Sequence, residues 1–144
     1  MTGRIDTPQK IRFLKFIHSR ESGVKPGEIA QNFGIRASTV TRSLHELGQA
    51  GYIRYDSYKM VFLTDAGKDL TRFLQRRHRI LSLMFTRAGL SEHDACIQAE
   101  KIEHLVPKVH IDQICRSLGH PSRAACGVID HDPLFGTVFP SDNE

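Results

Sequence analysis

Glu100, Glu103 and His104 recur at i, i+3 and i+4, so on a helix they would share one face. Cys96 lies one turn earlier on that face. His78 sits between Leu74 and Leu81 of another apolar stripe and is expected to point at the same core. Two carboxylates, two imidazoles and a thiol converging between helices would bind a transition metal. Carboxylate and imidazole suit Mn(II) or Fe(II). Zn(II) and Co(II) come next, and Cys96, if it ligates, tilts the choice toward softer ions. Each residue also has a plain alternative. Glu100 and His104 can be a surface i,i+4 pair, His78 a hydrogen-bonded core histidine and Cys96 apolar filler.

A second group, in the N-terminal half, suits a polyanion. Ser38, Thr39, Thr41 and Arg42 stand at the start of an expected helix, with Arg36 just before it. Hydroxyls reach phosphates or base edges, and an arginine reaches a guanine edge with two hydrogen bonds. Arg54, Tyr58 and Lys59 fall on and around an expected hairpin tip, where they would meet a phosphate backbone. Charge agrees with this division. Residues 1–88 carry 16 Lys+Arg against 7 Asp+Glu, and residues 89–144 carry 4 against 9. The basic half reads as a nucleic-acid module and the acidic half as a cation-binding one.

Helices and one hairpin must position these groups. Thr7 and Pro8 start a helix carrying Ile11, Phe13, Leu14 and Ile17 inward, and Gly23 ends it. Pro26 opens a short helix that stops at Gly34, and a third runs from about Ala37 to Ala50 with Val40, Leu44 and Leu47 on one face. Strands at Tyr52–Tyr55 and Met60–Leu63 flank a polar turn. Three helices followed by a hairpin is the order of a winged helix-turn-helix, whose third helix enters the major groove by its N-terminal end. A long helix from about Ala66 to Arg87, capped by Thr64 or Asp65, follows. Further helices are expected from Ser91 to about Val106 and from Pro107 to about Leu118, then a loop or loosely packed tail from Gly119. The domain reading is a DNA-binding domain over residues 1–65, a helical metal-binding and dimerisation domain over 66–120, and a tail over 121–144. The fold class is mainly α.

Composition narrows the function. The longest near-apolar run, Ile80–Phe85, is interrupted by Ser82 and is far shorter than the ~20 residues of a membrane span. The three cysteines, Cys96, Cys115 and Cys126, are odd in number and irregularly spaced, which points to a reducing cytoplasm rather than a disulfide framework.

Taken together, Glu28-Ile29-Ala30, Ser38-Thr39-Val40-Thr41-Arg42, Gly51-Tyr52-Ile53, Leu63-Thr64-x-x-Gly67-Lys68, Arg77-His78 and Glu100-Lys101-Ile102-Glu103-His104 resemble the diphtheria toxin repressor and manganese transport regulator family. The resemblance covers about residues 5–120. Its specific part is the E-x-x-E-H triplet 22 residues after His78. It implies a homodimeric, metal-activated repressor that reads a palindromic operator, with His78, Glu100, Glu103 and His104 at ligand positions. Cys96 falls where some members place an ancillary-site histidine, and Ser82 where an ancillary glutamate would be. The family's first helix supplies ligands too, but the matching positions here are Gln9, a weak ligand, and Arg12, which cannot ligate. A fixed cation there is expected to make the metal less necessary for DNA binding. The rivals are a winged-helix regulator of the same fold controlled by thiol redox or acting without metal, a protein-interaction adaptor, and a metallohydrolase using His78, Glu103 and His104. The reading adopted is a regulator and not an enzyme.

Overall fold

The computed structural model describes residues 6–124 and 126–129. Helix α1, Pro8–His18, begins where Thr7 Oγ1 accepts a hydrogen bond from the Lys10 amide at 3.3 Å, with Pro8 at the first position. It buries Ile11, Phe13, Leu14 and Ile17. Helix α2, Pro26–Phe33, ends at Gly34 in the left-handed conformation, φ +63°. After Ile35 and Arg36, α3, Ala37–Gln49, starts. That short left-handed stop turns the chain from α2 into α3. Phe33 reaches back to α1, its ring centroid 5.5 Å from Phe13 and 5.6 Å from Phe16.

Strands β1, Ile53–Tyr55, and β2, Val61–Leu63, pair antiparallel, with Ile53 opposite Leu63 and Tyr55 opposite Val61. Tyr52 and Met60, expected in the strands, lie just outside the ladder. Val24 adds a single bridge to Val61. Gly23 precedes it at φ +88°, and a Cβ there would lie 2.6 Å from the Phe62 ring, so both conformation and space require glycine.

Helix α4, Asp65–Arg87, follows. Thr64 caps it: its hydroxyl accepts from the Gly67 amide at 3.0 Å and donates to the Gly51 carbonyl. A Cβ on Gly67 would sit 2.0 Å from the Tyr52 carbonyl oxygen, so the first turn of α4 is pressed against the start of the wing. The chain divides into two compact units between Thr71 and Arg72, inside α4, because this first turn packs with the winged helix.

The second unit contains the rest of α4, helix α5 (Glu92–Ile102), a 3-10 turn (Glu103–Leu105), helix α6 (Lys108–Ser117) and a small hairpin of β3 (Arg123–Ala124) and β4 (Gly127–Val128). Ser91 caps α5 through the Asp94 amide. The core gathers Ile80, Leu81, Ala99, Ile111, Cys115, Ala124 and Ile129. The segment read as a loop or tail from Gly119 is therefore corrected in its first part. Arg123–Ala124 and Gly127–Val128 pair as a hairpin, and Ala124 and Ile129 bury themselves in the core, a match that apolar residues scattered among Gly, Pro and Ser do not advertise. Residues 130–144 of that expected tail lie outside the described residues.

A buried ion triad fixes α6 to α4. Arg76 donates to Asp112 at 2.8 Å and Lys108 to the other carboxylate oxygen at 2.9 Å, all three side chains being almost fully enclosed. Burial alone would raise the Asp112 carboxyl, but the hydrogen bonds and charges of Lys108 and Arg76 outweigh it and hold it below its ordinary value.

Candidate functional site

On the first unit, Val40, Leu44 and Leu47 are fully buried and anchor α3, which leaves the opposite face to solvent. Ser38, Thr41 and Arg42 are exposed, Thr39 is half-buried, and Arg36, the residue before the helix, is exposed. Thr41 is partly committed, its hydroxyl donating to the Ala37 carbonyl at 2.9 Å. Lys10, itself buried, pairs with Glu46 on the next turns of α3, and this hydrogen bond holds the Glu46 carboxyl low. The wing is ordered by Asp56, whose side chain accepts from the Tyr58 and Met60 amides at 2.9 and 2.8 Å. Lys59 adopts a left-handed φ of +61° in that turn, and Tyr58 projects 82% exposed. The Arg54 guanidinium lies over the Phe62 ring at 4.7 Å, so it is pre-positioned rather than trailing in solvent.

The second unit arranges its candidates differently from the sequence reading. The helix expected to run to Val106 ends at Ile102 and tightens into the 3-10 turn, so Glu100 and the pair Glu103–His104 no longer share one continuous α-helical face. Glu100 is exposed, and Glu103 is buried. His78 Nδ1 and Glu103 Oε2 are 2.7 Å apart, and since a carboxylate only accepts, the ring donates. His104 Nδ1 is buried and has no hydrogen-bond partner among the described residues. A buried imidazole nitrogen in that state, beside a carboxylate on the preceding residue, fits a ligand awaiting a divalent ion.

Cys96 joins another group. Its sulfur, that of Cys126 and an imidazole nitrogen of His78 all lie within 4.8 Å of one another. The Ser82 hydroxyl, 3.5 Å from Cys96 Sγ, draws that thiol below its ordinary pKa despite partial burial, with His78 helping. Among the described residues this is the one set of three or more such side chains close enough to share an ion, and Glu100, Glu103 and His104 do not form one. The sequence does not place Cys126 beside Cys96 and His78, because that meeting depends on the β3–β4 fold-back. On α1, Gln9 accepts a hydrogen bond from Ser43 at 3.2 Å, and Arg12 is exposed.

Two family models match this chain. One, described as the iron-dependent repressor N-terminal DNA-binding domain, covers residues 12–61, and the other, the iron-dependent repressor metal-binding and dimerisation domain, covers residues 64–130. The HTH-type transcriptional regulator MntR of Bacillus subtilis strain 168 is 30% identical over 111 residues, 75% of this chain and 78% of that protein. This chain belongs to the iron-dependent repressor family. A regulator of the same name from Lysinibacillus sphaericus strain C3-41 is 31% identical over 87 residues, 60% of this chain and 63% of that protein, so the match spans less than two thirds of that relative. The fold is shared with a hypothetical protein from Sulfolobus solfataricus, with a TM-score of 0.74 at 23% identity over 85% of this chain and 95% of that one. The N-terminal family match falls on the helix-turn-helix and wing. The C-terminal match contains His78, Glu103 and His104 and extends through the Cys126 hairpin.

Proposed function

We propose that the protein is a metal-responsive, homodimeric repressor that reads a palindromic operator through α3. One observation carries the reading. A winged helix with an exposed hydroxyl- and arginine-bearing reading face shares its chain with a metal-binding-domain match that contains a buried His78–Glu103 pair and the unsatisfied His104 nitrogen. Ser38, Thr39, Thr41 and Arg42 would enter the major groove. Arg36, Arg54, Tyr58 and Lys59 would hold the flanking phosphates. Glu103 and His104, with Glu100, would hold a divalent ion of the Mn(II) or Fe(II) class, and His78 supports them through Glu103. The ion supplies positive charge that draws these donors together. Among the described residues no helix is long and apolar enough to cross a membrane, and the reading is of a cytoplasmic regulator rather than an enzyme.

The dimer surface is expected on the second unit. On that unit the apolar Ile97, Leu105 and Val109 are exposed, Leu105 by 62%. Ile111 does not belong to that surface: it is fully buried in the unit's own core beside Cys115, one turn along α6. Ile114 is half-buried against the same core.

The test is fluorescence anisotropy with a duplex selected from a random pool, in chelator and then in Mn(II) or Fe(II). Metal should tighten specific binding, and affinity should fall steeply with salt as counterions return to the phosphates. Sedimentation should give a dimer. Identical binding with and without metal, or a monomer at micromolar concentration on DNA, would overturn the proposal.

A further inference from the structure

We infer that Cys96 and Cys126 form a hydroperoxide-sensitive thiol pair that closes into a reversible disulfide within one chain and so fastens the β3–β4 hairpin to helix α5. The bond needs neither DNA nor a metal ion, so it stands apart from the proposed switch.

Cys96 is on α5, and Cys126 stands 30 residues further on, at the turn between β3 and β4. Their sulfurs lie within 4.8 Å of one another. A disulfide joins its sulfurs at about 2.05 Å, so the two thiols need only rotate toward each other, and the exposed turn leaves Cys126 room to do so. The fold keeps the pair together before any bond forms. Arg79 of α4 donates to the Val128 carbonyl at 2.6 Å. Gly127, directly after Cys126, has φ +143°, and a Cβ there would meet the Arg79 guanidinium at 3.0 Å, so the arginine passes directly under the turn. Ala124 and Ile129 anchor the two ends of the hairpin in the core. Ser82, fully buried, places its hydroxyl 3.5 Å from the Cys96 sulfur and orients it.

Access separates this pair from the third cysteine. Cys126 is exposed and Cys96 half-buried, so a small solute reaches both, whereas Cys115 is enclosed in the core. A thiol open to solvent beside a resolving partner is the arrangement of oxidant-sensing cysteines, and in a reducing compartment such a bond is transient. The substrate class is a hydroperoxide. The Cys96 sulfur, which the Ser82 hydroxyl supports, attacks one peroxide oxygen. The O–O bond breaks, the other oxygen leaves as water with the thiol proton, and Cys96 becomes a sulfenic acid. The Cys126 sulfur then attacks the Cys96 sulfur, the S–O bond breaks, and the hydroxyl leaves as a second water with the Cys126 proton. Two thiols are oxidised by two electrons, and hydrogen peroxide is reduced to two waters. A dithiol reductant reverses the bond by thiol–disulfide exchange and is itself oxidised.

The experiment uses the full chain, stripped of metal with a chelator, fully reduced, freed of reductant and treated with hydrogen peroxide near equimolar. Free thiols counted in denaturant should fall from three to one, the survivor being Cys115. Peptide mass mapping should join Cys96 to Cys126 within one chain, and dithiothreitol should restore all three thiols. Because the bond closes a 30-residue loop, the oxidised protein should melt at least about 5 °C higher than the reduced one. Cys126→Ser removes the resolving thiol and should leave a sulfenic acid on Cys96, which dimedone traps. Neither Cys126→Ser nor Cys96→Ser should gain the rise in melting temperature. Three free thiols after peroxide, a link that joins two chains or engages Cys115, or an oxidised protein no more stable than the reduced one would overturn the inference. Dimedone labelling of Cys126→Ser anywhere but Cys96 would overturn the order of attack. A disulfide that forms in a protein whose DNA binding ignores Mn(II) and Fe(II) would refute the switch and leave this site standing.

Discussion

In the winged-helix unit, Ser38, Thr41 and Arg42 stand in solvent on a helix whose opposite face, Val40, Leu44 and Leu47, is fully buried. In the second unit, Glu103 is itself part of the interior, His78 is half-buried against it, and the His104 Nδ1 atom is enclosed. The difference follows from the ligand each region is read to take. A DNA duplex is too large to enter a protein, so its contacts must sit on an outer face, and the core beneath serves only to hold that face. A metal ion is small and its charge is felt most strongly away from water, so its donors belong inside, where they also bear on the fold. Substitutions at functional positions should therefore leave stability alone in the first unit and disturb it in the second.

The largest effect is expected at Asp112. Asp112→Ala leaves Arg76 and Lys108 as buried cations without their shared carboxylate and should cost about 3–5 kcal/mol of stability in the second unit. The same group sets a pH dependence. Its folded pKa is depressed below its unfolded value, so the stabilisation is complete above the unfolded value of about 3.9 and fades as pH falls toward and below the folded pKa. Chemical denaturation of wild type and variant from neutral to acid pH would show their difference shrinking at the acid end. A constant difference would mean that the triad contributes by packing alone.

Next come the two neighbours Glu103 and His104, which divide the second unit's two burdens. Both Glu103→Ala and His104→Ala should remove most Mn(II) or Fe(II) affinity in calorimetry. Glu103→Ala should also destabilise the metal-free protein by about 1–3 kcal/mol, because His78 loses its buried partner. His104→Ala should cost far less, since its Nδ1 has no bond to lose among the described residues. Equal losses of metal-free stability would erase the distinction between a structural and a waiting group.

Arg42→Ala should weaken specific DNA binding by about 1–3 kcal/mol, with a smaller loss on random DNA and no change in melting temperature. Equal loss on specific and random duplex would confine Arg42 to phosphate. The smallest effect is expected at Thr41, whose hydroxyl donates within its own helix: Thr41→Val should shift both stability and affinity by under about 0.5 kcal/mol. A drop of tenfold or more in specific affinity would show that this hydroxyl leaves Ala37 to face a base.

The sequence alone carried the local features of this protein. Periodicity and caps placed the helices, because Thr7, Pro8, Pro26, Gly34, Thr64 and Ser91 act within a few residues of themselves. The same local signals gave the wing and the exposed face of α3, since a helix anchored by Val40 and Leu44 has only one face left. Three things required the tertiary structure. The helix bearing E-x-x-E-H tightens at Glu103, whose buried carboxylate meets His78, 25 residues away. Asp112 reads as one more surface acid until Arg76, 36 residues earlier, closes on it. Cys126, in a stretch of small and polar residues that looks like a loop, meets Cys96 and His78 only because Arg79, Ala124 and Ile129 fold the hairpin back. Contacts within a helical turn are written in the order of the residues, whereas contacts across 25 or more residues exist only once the chain has chosen how to pack its core.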